Sequence, residues 1–199
     1  MYDLKDGRTA IAIARAELDR YFGIGKIELE NIPEKFSVKS GVFVTLSRYP
    51  SKELRGCIGY VMPVMKLKKA IRDNALNAAL EDPRFPSLKK EELEKIVMEV
   101  SLLTVPEKMK YSSPEELLKG IQIGKDGLIV EKSFNKGLLL PQVPVEWGWD
   151  VEEFLSHTCM KAGLPSETWR KGRVTIKKFS AAVFSEKSPR GEVVKKELL

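Results

Sequence analysis

The stretch Gly41–Tyr60, "GVFVTLSRYPSKELRGCIGY", decides how the chain is read. Residues 41–49 are rich in β-branched and aromatic side chains, the composition of a strand. "PSKE" is a turn and "LRGCIGY" is the returning strand, so the stretch reads as a β-hairpin. The returning strand is unusual, because glycine weakens a strand interior. Strict alternation puts Leu54, Gly56, Ile58 and Tyr60 on one face and Arg55, Cys57 and Gly59 on the other. A guanidinium beside a thiol favours the thiolate, which makes Arg55 and Cys57 a candidate catalytic pair. Gly56 and Gly59 are candidate ligand-binding positions, since glycine lets a ligand or another backbone approach closely. A structural account is open as well. Free cysteine often simply packs, Arg55 can bridge to a carboxylate, and the glycines can form a bulge.

Outward from the hairpin, Asp6–Phe22 carries Ile11, Ala14, Leu18, Tyr21 and Phe22 at helical spacing. Met65–Leu80 is a second helix with two apolar stripes, and Asn74 lies within one of them. It ends at "EDPRFPSL", where Pro83 and Pro86 forbid continuation. A short helix over Lys89–Lys95 leads into the strand "IVMEVSLLTV", in which Val97, Glu99 and Ser101 share one face. "SSPEELLKG" is a capped short helix. A second hairpin follows: "DGLIVEKS", a turn at "FNKG", then "LLLPQV". Val151–Ala162 is the third main helix, "RVTIKKFSAAVFSE" is the last strand, and residues 187–199 are a loose polar tail. Hairpin, helix, Pro-containing loop and strand thus occur twice, at about 41–105 and 127–186. The pattern predicts an α+β fold: a single domain of two related β/α repeats, with helices outside one curved, mostly antiparallel sheet.

The 199 residues are enough for one substantial domain, and their 43% apolar and 31% charged content is ordinary for a globular chain. Lys and Glu are abundant and Asn and Gln scarce, a bias of thermophilic proteins. Two widely separated cysteines are not a disulfide framework. The N-terminus lacks the pattern of a signal peptide. No apolar run approaches the roughly 20 residues that span a bilayer. These features predict a cytoplasmic protein without membrane association.

The lone histidine, His157, lies opposite the apolar side of its helix, so a thiol–imidazole dyad is disfavoured. One His and two distant Cys give no zinc spacing, and neither a metal nor another cofactor is expected. Asp82 and Arg84 of "EDPRF" are further ligand-binding candidates, free to pair with each other or with Arg55 and Glu99. So are Gln142 and Glu146 of "LLLPQVPVEWGWD", where Pro141 and Pro144 interrupt a strand beside Trp147 and Trp149. The net charge of +6 permits an anionic partner without demanding one. Arg170, Lys171, Arg173, Lys177 and Lys178 form the basic cluster best placed for nucleic acid, which is a weak signal without an RNP-like aromatic pattern.

"LRGCIG", "GVFVTL", "DPRF", "GLIV", "LLLPQV" and "KAGL" occur in an order that resembles the AMMECR domain family, named for the Alport syndrome, midface hypoplasia and elliptocytosis chromosomal region. The resemblance runs over about Asp6–Glu186 and is that of an archaeal or bacterial member. It implies two related β/α repeats around a barrel-like sheet, and it makes Leu54–Gly59 a signature. It also implies partners among Memo-family and radical-SAM pathway proteins, and suggests a part in nucleic-acid or translation processes, without assigning a substrate. The expected function is a ligand-binding or catalytic cleft on the "LRGCIG" strand with Cys57 as a reactive thiol. The alternative is a non-catalytic module that docks a Memo-like protein or RNA.

Overall fold

The computed structural model describes residues 2–25, 29, 31–172 and 174–197. The chain divides into a first unit, Met1–Leu103 with Ala182–Lys196, and a second, Thr104–Ala181 with Glu197–Leu199. Helices and antiparallel strands alternate in both, giving the α+β class that the sequence predicts.

In the first unit, helix α1 (Leu4–Tyr21) begins at a reciprocal cap. The Asp3 carboxylate accepts the Asp6 N–H at 2.9 Å, and the Asp6 carboxylate accepts the Asp3 N–H at 2.9 Å. Strands β1 (Val42–Arg48) and β2 (Leu54–Tyr60) form the expected hairpin, and α2 (Leu67–Leu80) and a 3-10 helix (Lys90–Lys95) lead to β3 (Ile96–Leu103). β1 lies between β2 and β3, so β2 is an edge strand. Val42, Val44 and Leu46 of β1 and Met98, Val100 and Leu102 of β3 are buried in one core with Ala10, Ala14 and Leu18 of α1 and Ile71, Ala75 and Ala78 of α2. The alternate side chains Phe43, Thr45, Ser47, Val97 and Glu99 point away from the helices and are only half-buried.

The hairpin departs from strict alternation at one residue. Leu46 pairs with Gly56 but Ser47 pairs with Leu54, so Arg55 is the extra residue of a β-bulge. Gly56 then faces α2, where an added Cβ would lie 2.0 Å from the Ala78 carbonyl oxygen. The backbone that approaches Gly56 is therefore the helix. At Gly59, an added Cβ would fall 2.5 Å from Cδ1 of Phe43 and 2.3 Å from the Val42 oxygen, so the neighbouring strand takes that space.

In the second unit, β4 (Glu107–Lys108) and α3 (Pro114–Lys119) precede the hairpin of β5 (Asp126–Lys132) and β6 (Asn135–Leu139). Lys132 pairs with Asn135, so the turn is Ser133–Phe134 rather than "FNKG"; Ser133 takes φ 53°, which suits a two-residue hairpin turn. The chain does not continue as a strand through Pro141. It enters a short helix, α4 (Gln142–Trp147), for which proline at the entry supplies a suitable φ. Helix α5 (Val151–Lys161) and β7 (Thr175–Glu186) follow. Phe154, Leu155, Cys159, Trp169, Leu128, Val130 and Ile176 form this unit's core.

β7 gives Thr175–Ala181 to the second unit and Ala182–Glu186 to the first. In the first unit its end is tied by buried charge. Arg15 donates to Glu186 at 2.9 and 2.5 Å and to the Leu93 and Ile96 carbonyls, while the Met98 N–H donates to the same carboxylate. The tail is not loose as expected: Val193–Lys196 forms β8, which pairs with β7. Arg190 fixes the intervening turn by donating to Asp19 at 2.9 and 2.6 Å and to Glu94 at 2.6 Å. The polar composition of this segment reflects ion pairing rather than disorder.

Gly56→Ala is expected to cost about 1–3 kcal/mol, the usual range for overpacking, because α2 must move away from β2. Gly25→Ala, where nothing lies within 4 Å of the added atom, is expected to stay within about 0.5 kcal/mol of the parent. Urea denaturation of the two variants measures the difference.

Candidate functional site

The bulge separates the two residues that alternation would bring together. Cys57 pairs with Thr45, which points away from the helices, and the Thr45 hydroxyl donates to Sγ at 3.2 Å. Arg55 shares the helix side with Gly56. Its guanidinium is 2% exposed and donates through Nε and Nη2 to Glu92 at 2.8 and 3.1 Å. Nη1 is buried without a hydrogen-bond partner among the described residues. The Arg55 guanidinium holds the Glu92 carboxyl below its ordinary pKa. Arg55 thus joins β2 to the 3-10 helix, and the expectation that it activates Cys57 is corrected.

The cation at Cys57 is Arg84. β2 is an edge strand, and an edge presents unpaired N–H and C=O groups. The "DPRF" loop after α2 fills this need at Cys57. The Asp82 carboxylate accepts the Cys57 N–H at 2.8 Å, and Arg84 Nη2 reaches the Cys57 carbonyl at 3.3 Å. Asp82 also accepts from Arg84 Nε at 2.9 Å and Nη2 at 2.7 Å. The Asp82 side chain is 2% exposed and that of Arg84 54%. The Arg84 guanidinium, followed by hydrogen bonds from the Cys57 and Arg84 amides, holds the Asp82 carboxyl well below the usual carboxylate range despite its burial.

Burial pushes the Cys57 thiol above its ordinary pKa. The Thr45 hydroxyl and Arg84 oppose that rise, and the charges of Glu99 and Asp82 add to it. The balance runs toward the protonated thiol, the direction opposite to the activation that a neighbouring guanidinium would give.

Thr45 pairs with Cys57 on one side and with Glu99 of β3 on the other. Cys57, Thr45 and Glu99 thus form a polar row across three strands, on the face away from the helices. Glu99 is bridged to Lys196 of β8. A cavity of about 330 Å³ adjoins this row on the first unit, with Ser47, Tyr49, Lys52, Glu99 and Lys196 among its walls. Thr45 and Lys196 carry no signal in the sequence, because only strand register brings Thr45 to Cys57 and only the β8 pairing brings Lys196 to Glu99.

The AMMECR1 family model matches residues 11–184. The chain belongs to the AMMECR1 family. Protein MJ0810 of Methanocaldococcus jannaschii is 53% identical over 196 residues, covering 98% of each chain. Protein PF1979 of Pyrococcus furiosus is 49% identical over 207 residues, covering 100% of this chain and 98% of that one. The crystal structure of the uncharacterized protein PH0010 from Pyrococcus horikoshii superimposes with a TM-score of 0.83 at 46% identity, over 97% of each chain. These relatives are archaeal and thermophilic, in keeping with the Lys- and Glu-rich composition.

The remaining candidates of this AMMECR1 member lie in the second unit. Gln142 and Glu146 sit on α4, and Gln142 Oε1 is buried without a partner among the described residues. Trp147 stacks on Trp149 at 6.0 Å, and Trp149 stacks on His157 at 3.8 Å. Much of the basic cluster is neutralised: Arg170 is bound by Glu152 and Glu167, Lys177 by Glu131, and Lys178 by Asp126. Arg173 lies outside the described residues. Among the described residues no three His, Cys, Asp or Glu side chains are grouped as metal ligands. No described helix is long and apolar enough to cross a membrane.

Alkylation of Cys57 by iodoacetamide, followed by mass spectrometry across pH, is expected to show a midpoint above the ordinary thiol value of about 8.5. Cys159, fully buried in the second core, is expected to react only when the protein unfolds.

Asp82→Asn is expected to lower stability at neutral pH, because it removes the charge that holds Arg84. A depressed carboxyl pKa contributes stability above the unfolded value of about 3.9 and loses it as pH falls through the folded value. The gap between parent and variant in thermal melts should therefore narrow in acid. An unchanged gap would mean that Asp82 contributes no linked charge.

Proposed function

We propose that the first unit is a small-molecule recognition module, in which the face carrying Cys57, Thr45 and Glu99 binds a small carboxylate-bearing ligand. The supporting observation is the continuity between the polar row and the 330 Å³ cavity, which share Glu99. That volume lies at the lower end of the range for ligand pockets, roughly 300–1,000 Å³. Of the wall residues, Glu186 is engaged by Arg15, Lys196 by Glu99, Lys187 by Glu192 and Arg48 by Glu53, which leaves Lys52 as the wall cation without a carboxylate partner among the described residues. That ammonium favours an anionic ligand.

In this reading Cys57 is a neutral polar neighbour of the ligand, and Asp82 and Arg84 seal the strand edge beneath it. The raised thiol favours binding over nucleophilic chemistry, because the thiolate is the nucleophile.

The test uses a panel of acetate, succinate, citrate, glycine and glutamate. At least one is expected to raise the melting temperature and to slow Cys57 alkylation, and both effects should be lost in the Lys52→Ala, Lys196→Ala double variant. A panel that leaves melting and alkylation unchanged would overturn the reading.

A further inference from the structure

The second unit holds a larger cavity, of about 610 Å³, where the segment 108–114 faces the segment 169–176. Among the described residues its lining includes Lys108, Lys110, Arg170 and Lys171 and no acidic residue. Arg170 is spent: its guanidinium is bound by Glu152 and Glu167 and lies 4.5 Å from the Trp169 ring. Among the described residues, Lys108, Lys110 and Lys171 have no carboxylate partner and are exposed. Three unneutralised ammonium groups around one concavity repel each other and focus a positive potential into it.

We propose that this cavity binds a small phosphorylated molecule, its phosphate held by Lys108, Lys110 and Lys171. Lysine recognises phosphate as a point charge with three donors, and a phosphate offers more oxygens and more charge than a carboxylate. One neutral donor stands beside the lysines. Tyr111 is a neutral phenol, since burial raises its pKa. Met109 and Val174 supply apolar surface for the organic part of the ligand. The volume falls in the middle of the range for small-molecule sites.

This site shares no residue with the cavity proposed for carboxylates, so the two readings stand or fall separately. The same phosphate chemistry is offered by a free metabolite and by a nucleic-acid backbone. The concave lining and the pairing of Lys177 with Glu131 and of Lys178 with Asp126 favour the free metabolite.

Isothermal titration with pyrophosphate, with AMP and with a short single-stranded oligoribonucleotide separates the sources. Pyrophosphate or AMP is expected to saturate one site, more weakly at higher salt. The triple variant Lys108→Gln, Lys110→Gln, Lys171→Gln is expected to bind at least about tenfold more weakly, as loss of charge-assisted hydrogen bonds predicts. Its melting temperature should be unchanged because the three side chains are exposed, and the corresponding Arg variant should restore most of the affinity. The proposal is overturned if neither pyrophosphate nor AMP binds at millimolar concentration. It is equally overturned if the triple variant binds them undiminished, or if only the oligoribonucleotide binds.

Discussion

The first unit depends on a single close approach, that of the α2 backbone to β2 at Gly56. Only a residue without a Cβ leaves room for the Ala78 carbonyl there. With α2 seated against the strand, its end delivers "DPRF" to the edge of β2, where Asp82 and Arg84 take the Cys57 N–H and C=O. An edge strand is a template for unwanted pairing. Here a carboxylate and a guanidinium stand in for a neighbouring strand over one residue. The two signature motifs, "LRGCIG" and "DPRF", are therefore halves of one structural device, which explains why a cysteine backbone and an aspartate–arginine pair occur together in this chain.

The same unit buries considerable charge. Arg15–Glu186, Arg55–Glu92 and Arg190–Asp19 each place at least one side chain in the interior with bidentate geometry. Removing ions from water is costly, and such pairs are weak evidence for net stability. Their effect here is positional. Arg15 also satisfies two carbonyls at the entrance to β3, so α1, β3 and the end of β7 meet at one defined register. At high temperature the desolvation cost of such pairs falls, which suits a family with thermophilic relatives.

Much of the fold was legible because the hydrophobic periods were clean. Both hairpins, α1, α2, α5 and the two long strands follow from spacing and from Gly and Pro punctuation alone. The turn at Ser133–Phe134 and helix α4 were misread locally, whereas the other errors came from pairings that no local pattern marks. The bulge at Arg55 needs the register against β1, and it reverses the face on which Arg55 lies. Glu92, the true partner of Arg55, is 37 residues away, and nothing local marks it. The tail looked loose because its residues are polar, yet Arg190 binds Asp19 across 171 positions. Within the site, Asp82 and Arg84 were found from the loop motif, while Thr45 and Lys196 became visible only through strand pairing.

The charge of the second unit illustrates why composition alone is a poor guide to partners. "RKGRVTIKK" is the densest basic run in that region, yet Arg170, Lys177 and Lys178 each face a carboxylate once the chain is folded. Cations paired in this way have little attraction left for a polyanion. The unneutralised lysines come partly from a segment, 108–110, that is unremarkable in sequence, and they surround a concavity instead of a flat face. A concave cationic site selects by size as well as by charge. Folding therefore separates cations that look alike in the sequence: Arg170, Lys177 and Lys178 are held by carboxylates, while Lys108, Lys110 and Lys171 line a cavity without one among the described residues.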